Sequence, residues 1–130
     1  SVAPLKEKYR ISDRYGYRTH PISGERQFHA GLDMAAVYAA TVHAAASGTV
    51  TFAGETPGYG KTVVVTHRFG FQTRYAHLTL IYTRKGAKVE KGDVIGFVGS
   101  TGISTGNHLH YEVIKNQKRI NPLNFIYGTK

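Results

Sequence analysis

Residues 107–114 read Asn107-His108-Leu109-His110-Tyr111-Glu112-Val113-Ile114. The run from Leu109 to Ile114 is β-branched and aromatic, the composition of a strand. Side chains two apart on a strand share a face, with Cα atoms about 6.6 Å apart. His108 and His110 then present two imidazoles side by side, and Leu109 and Tyr111 face the other way. The same character recurs at Thr49-Val50-Thr51-Phe52, Thr62-Val63-Val64-Val65-Thr66, Phe71 to Tyr75 and Val94-Ile95-Gly96-Phe97-Val98. Between these runs Gly58-Tyr59-Gly60, Arg68-Phe69-Gly70 and Lys91-Gly92-Asp93 carry turn chemistry. The spacing predicts an all-β fold, a sandwich or small barrel.

Helix is expected only as a turn before Ile11 and another over Asn121-Pro122-Leu123-Asn124-Phe125-Ile126. There Asn121 can cap and Pro122 suits the first helical position. The 130 residues fit one domain with its own core. Residues 1–10, with Lys6, Glu7, Lys8 and Arg10, read as a solvated tail or connection to an upstream region, and 11–130 as the domain. Numbering opens on Ser1 without a signal-like segment, which reads as a piece of a longer or processed precursor. The polar, turn-rich stretch from Tyr15 to Gln27 is the longest without strand character, and long ordered loops often carry function.

Composition narrows the chemistry. There are 17 Lys+Arg, 8 Asp+Glu, seven His and no Cys, for a net charge of +9. The absence of cysteine excludes disulfides, a thiol nucleophile and thiolate metal sites, so a metal must use His, Asp or Glu. No apolar run approaches the roughly 20 residues of a membrane-spanning helix. The charge favours anionic partners of several kinds. A nucleic-acid module is disfavoured, because the basic residues are scattered rather than interleaved with aromatics on one strand.

Three histidine-bearing segments stand out: Phe28-His29-Ala30-Gly31-Leu32-Asp33, Tyr75-Ala76-His77 and Asn107 to Tyr111. On a straight strand His29 and Asp33 would lie about 13 Å apart, too far for one ion. A bend at Gly31, where it is sterically cheap, would bring them together. His29, Asp33 and one of His108/His110 would make a three-ligand site with a position left for water, the catalytic pattern for zinc. Spacing leaves open which of the pair binds. The other one and His77 would remain for proton transfer or oxyanion stabilisation. His20, His43 and His67 have no partner at ligand spacing and read as background, although His20 lies in the long loop and could touch a substrate.

At these residues the chain resembles the M23 zinc metallopeptidases, the lysostaphin and LytM type of peptidoglycan endopeptidase. The resemblance rests on Phe28 to Ala35, Tyr75-Ala76-His77-Leu78 and Gly99 to Glu112, with the Lys88 to Gly96 hairpin and Asn121-Pro122. It implies a LytM-type antiparallel fold with one zinc ion in a loop-walled groove. By implication His29, Asp33 and His110 are the metal ligands and His77 and His108 the catalytic pair. His108 would act as general base on a zinc-activated water, with His77 holding the water or the tetrahedral oxyanion. Tyr15-Gly16-Tyr17-Arg18-Thr19-His20-Pro21-Ile22 resembles the Gram-negative branch, which cuts D-Ala–meso-diaminopimelate cross-links. A periplasmic or envelope location follows from the resemblance, with an envelope protein partner or an inhibitory upstream domain as further expectations. A non-catalytic activator or scaffold of cell-wall amidases is the alternative. The chain departs from the family at Asn107 and at Val37-Tyr38-Ala39-Ala40, which replaces a glycine-containing turn. Glu112 shares a face with the histidine pair and could orient one of them, but is read as a structural hydrogen-bonding residue outside the site; Tyr75 is read as core.

Overall fold

A computed structural model describes residues 1–127. The expected domain end at residue 130 lies outside the described residues. In chain order the strands are β1 Tyr9–Asp13, β2 Gly16–Thr19, β3 Arg26–His29, β4 Leu32–Ala36, β5 Thr41–His43, β6 Gly48–Thr56, β7 Gly60–Thr66, β8 Phe71–Ile81, β9 Lys88–Val89, β10 Val94–Val98, β11 His108–Lys115 and β12 Lys118–Ile120, followed by helix α1 Pro122–Tyr127. The fold is all-β and antiparallel, as the strand pattern predicts. Ten strands form one continuous sheet with the path β1-β4-β11-β8-β7-β6-β9. β10 pairs with β5 and β8, β12 with β11, and β2 and β3 make a separate hairpin.

The core explains the pairing. Leu32 and Met34 of β4, Leu109, Tyr111 and Val113 of β11, Tyr75 and Leu78 of β8 and Val63 and Val65 of β7 are fully buried. Val42, Ile95 and Val98, from β5 and β10, join the same cluster. At about 25 cal/mol per Å² such burial is the main stabilising contribution. It sets which face of β11 points outward: with Leu109 and Tyr111 inside, His108 and His110 lie on the opposite face.

Three expectations are corrected. Residues 1–10 are not a solvated tail: Leu5 is 3% exposed and bridges to Val42. Val2 N–H donates to the Ala45 carbonyl, and His43 N–H to that of Pro4. The charged side chains Lys6, Glu7, Lys8 and Arg10 are exposed, while Pro4 and Leu5 dock inward. The segment entering Ile11 is strand β1 rather than a helical turn, because Tyr9 and Ile11 alternate with exposed Arg10 and Ser12 along the edge of β4. The long polar stretch contains the β2–β3 hairpin. It lacks a buried face, so no apolar alternation betrayed it; Phe28 packs on Tyr15 and Tyr17 instead, ring centroids 5.1 Å apart in both pairs. The C-terminal helix forms where expected, with the Leu123 N–H donating to Asn121 Oδ1 at 3.1 Å.

Candidate metal centre

Cross-strand register assembles the site. β11 pairs His110 with Asp33 and His108 with Ala35 of β4, and pairs His110 with Ala76 of β8 on its other side. His29 ends β3, and the chain bends at Gly31 before β4 begins. Glycine is required there by close approach: a Cβ on Gly31 would lie within 3 Å of the Tyr111 carbonyl and of the His110 and Glu112 side chains. The bend brings His29 Nε2 to 3.3 Å from Asp33 Oδ2.

His77 reaches the same place through an irregularity. Lys61 opposes Leu78 while Val63 opposes Tyr75, so β8 carries one residue more than β7 between these pairs. The bulge reverses the alternation, and Tyr75 and Leu78 both face the core. Without it His77 would share the face of Tyr75. Its φ of 65° is uncommon for a residue other than glycine. The conformation is secured by its N–H donating to the Tyr59 carbonyl at 2.8 Å and by Nδ1 bonding the Thr101 carbonyl at 2.7 Å.

Side-chain nitrogens of His29 and His110 and a carboxylate oxygen of Asp33 lie within 4.8 Å of one another. Hydrogen bonding dictates which imidazole nitrogen faces inward. His29 Nδ1 bonds the Arg14 carbonyl at 2.9 Å, leaving Nε2 for a ligand. His110 is reversed: its Nε2 bonds Glu112 Oε2 at 2.8 Å and its Nδ1 faces Asp33 Oδ1 at 2.7 Å. A carbonyl or carboxylate behind each ring holds the tautomer a metal needs. His108 Nδ1 is bonded to the Gly106 carbonyl at 3.1 Å, and its Nε2 points toward Asp33, 3.8 Å away. The His77 and His108 rings stand 4.8 Å apart.

The electrostatics fit a cation. Burial alone would raise the Asp33 carboxyl, but the His110 and His29 rings outweigh it and hold Asp33 well below the usual carboxylate range. Burial would lower His110; bonds to Asp33 and Glu112 reverse that and lift it to about 9. The short contact between His110 Nδ1 and Asp33 Oδ1 closes the place where an ion would be shared. Burial lowers His77, which keeps its ring neutral near pH 7. The residues present fit a divalent ion with N and O ligands.

The structure brings together all five residues singled out in the sequence and reveals others behind them. Glu112, read there as lying outside the site, is 1% exposed and is the group that orients His110. It is held in turn by the Tyr59 hydroxyl at 2.8 Å, Arg74 at 3.3 Å and Arg119 at 3.2 Å. Burial raises Glu112, but its bond to His110, followed by Tyr59 and Arg119, brings it down to about 2. Its spacing of two from His110 was the available signal. Tyr59 and the Thr101 carbonyl gave none, since both arrive from loops. The other histidines are engaged elsewhere: His43 with Thr41 and Gly92, His67 with Ser47 and Thr73, and His20 with the Ile22 and Ser23 amides of its own turn.

Comparison with known proteins agrees with this geometry. The chain is 48% identical over 120 residues to the DD-carboxypeptidase/endopeptidase Mpg of Neisseria meningitidis, covering 92% of this chain and 28% of that protein. It is 37% identical over 121 residues to the peptidoglycan DD-endopeptidase ShyA of Vibrio cholerae, with the same two coverages. The chain therefore spans just over a quarter of the length of both. A crystal structure of a zinc-containing peptidase from Vibrio cholerae superposes with a TM-score of 0.83 at 33% identity, over 92% of this chain and 37% of that one. Residues 27–122, which contain His29, Asp33, His77, His108 and His110, match the sequence model of Peptidase family M23, and the chain belongs to that family.

Proposed function

We propose that this chain is a zinc-dependent endopeptidase domain that hydrolyses the peptide cross-links of bacterial peptidoglycan, at D-Ala–meso-diaminopimelate bonds, in the periplasm. The observation that carries the reading is the convergence of His29, Asp33 and His110 on one point, with the rings of His77 and His108 beside it. Three protein ligands leave a coordination position for water or substrate, the arrangement of catalytic rather than structural zinc. The names of the relatives support the substrate class. The net charge of +9 suits an anionic wall.

His29, Asp33 and His110 would hold the ion, which when bound supplies Lewis acidity toward water and the scissile carbonyl. His108 is the base. Its Nδ1–H is held by the Gly106 carbonyl, so Nε2 presents a lone pair to the attacking water and afterwards returns the proton to the leaving amine. His77 is tied through Nδ1–H to the Thr101 carbonyl and depressed by burial, so it too presents a lone pair at Nε2. That arrangement suits accepting a hydrogen bond from the water and so orienting it; donation to an oxyanion would require the protonated ring.

The deciding experiment is mass analysis of defined cross-linked muropeptides incubated with the zinc-loaded chain, with and without a chelator. Chelator-sensitive release of monomers with a new D-Ala carboxyl terminus is the expected result. Intact dimers would overturn the reading and favour a non-catalytic role beside an amidase.

A further inference from the structure

The groove continues past His108 toward the sheet edge, and its far wall carries one cation. β1 sets Arg10 opposite Ala35, and β11 sets His108 opposite the same Ala35 from the other side. Arg10, Ala35 and His108 therefore form one row across three strands, about 10 Å from end to end at neighbouring-strand spacing. All three line a cavity of about 370 Å³ together with Ser12, Asp33 and Asn107. The small side chain of Ala35 leaves the floor open between the arginine and the histidine.

The charges in this cavity are not balanced. Asp13 is paired with Arg18, and Asp33 with His29 and His110. Arg10 is exposed, and its side chain has no ion pair or hydrogen bond among the described residues. An unpaired guanidinium on the wall of a groove is a ready bidentate partner for a carboxylate.

We propose that Arg10 is a specificity-determining residue that binds a free carboxylate on the substrate residue next to the scissile bond. This rests on the function proposed above. In a D-Ala–meso-diaminopimelate cross-link, the carbon that carries the scissile nitrogen also carries an ionised carboxylate. A substrate seated with its scissile bond beside His108 and its amine side toward the sheet edge would set that carboxylate on the row leading to Arg10. Peptides whose carboxylate is capped as an amide keep the bond but lose the anion, so Arg10 reads the state of that group. Arg10 touches substrate away from the reacting atoms and takes no part in proton transfer.

The test compares two muropeptide dimers that differ only in whether this diaminopimelate carboxyl is free or amidated. The zinc-loaded chain should show kcat/KM about 10- to 100-fold higher on the free acid, the range of one charge-assisted pair. Arg10→Gln should reduce that ratio to within about threefold while leaving the amidated dimer's rate unchanged, and Arg10→Lys should keep part of it. A ratio that survives Arg10→Gln, or equal losses on both dimers, overturns the inference. Calorimetric binding of both dimers to His108→Ala, with and without Arg10→Gln, separates this from hydrolysis. A binding preference that depends on Arg10 supports the carboxylate contact even if no bond is cut, which would sink the hydrolytic reading alone.

Discussion

His110 Nε2 lies 2.8 Å from Glu112 Oε2, two residues further along the same face of β11. The contact turns the ring so that Nδ1, rather than Nε2, faces Asp33 and His29, and it is shielded from water because Glu112 is 1% exposed. Tyr59, Arg74 and Arg119 hold the carboxylate in place, so the orientation of one candidate ligand depends on residues from β8, β12 and the loop before β7.

Glu112→Gln keeps the shape of this group and removes its charge. Zinc affinity, measured by competition with a chromophoric chelator, should fall about 10- to 100-fold, the usual effect of losing a carboxylate behind a metal-bound imidazole. Unchanged affinity would mean that Glu112 serves only to neutralise Arg74 and Arg119.

The division of labour among the histidines gives a second expectation. His77→Ala and His108→Ala should each lower cross-link hydrolysis about 10²- to 10⁴-fold, the typical contribution of a positioned acid or base. Both should retain about one zinc per chain by elemental analysis, since three ligands suffice for the site. His29→Ala, Asp33→Ala and His110→Ala should instead lose the metal. Loss of zinc from the His77 or His108 variant would contradict the assignment.

Ala39 has a φ of 68° in an exposed turn, with its N–H donating to the Val98 carbonyl at 2.8 Å. An alanine in the left-handed region costs about 1–2 kcal/mol, and glycine relieves this while adding freedom to the unfolded chain. Ala39→Gly should stabilise the fold by about 0.5–1 kcal/mol, or roughly 2–4 °C in Tm. Calorimetry of the pair measures it, and a lower Tm for the glycine variant would refute it.

His67 lies away from the candidate site, between the Ser47 carbonyl and Thr73 Oγ1, each 2.7 Å from a ring nitrogen. Burial lowers its pKa from the ordinary 6.5. Below pH 6.5 the unfolded chain takes up this proton before the folded one does, so stability present above 6.5 is lost as pH falls toward the folded pKa. His67→Gln removes that contribution. Urea midpoints between pH 8 and 5 should therefore fall less steeply for the variant than for the parent, and parallel curves would exclude the effect.

Much of this was legible in the chain because it is local. Period-two alternation at Leu109, Tyr111 and Val113 is enough to specify a strand, its buried face and the outward direction of His108 and His110. A glycine midway between His29 and Asp33 marked the bend, and the absence of cysteine restricted the ligands to N and O. Other features depend on which strands meet, and no local pattern records that. Lys6, Glu7, Lys8 and Arg10 gave 1–10 the look of a solvated segment, yet Leu5 bridges to Val42 far along the chain. Simple alternation would send His77 to the core with Tyr75; only the bulge against β7 turns it into the groove. The partners of Glu112, and the row that carries Arg10 across Ala35 to His108, exist only through register among β1, β4, β8 and β11. The sequence by itself determined the central strands β6, β7, β8, β10 and β11, the ligand types and the five candidate residues, because these follow from side-chain chemistry and short-range periodicity. Tertiary structure alone decided the direction of His77, the tautomer of His110 and the charge on the groove wall, because each is set by atoms that meet only after non-local strands pair.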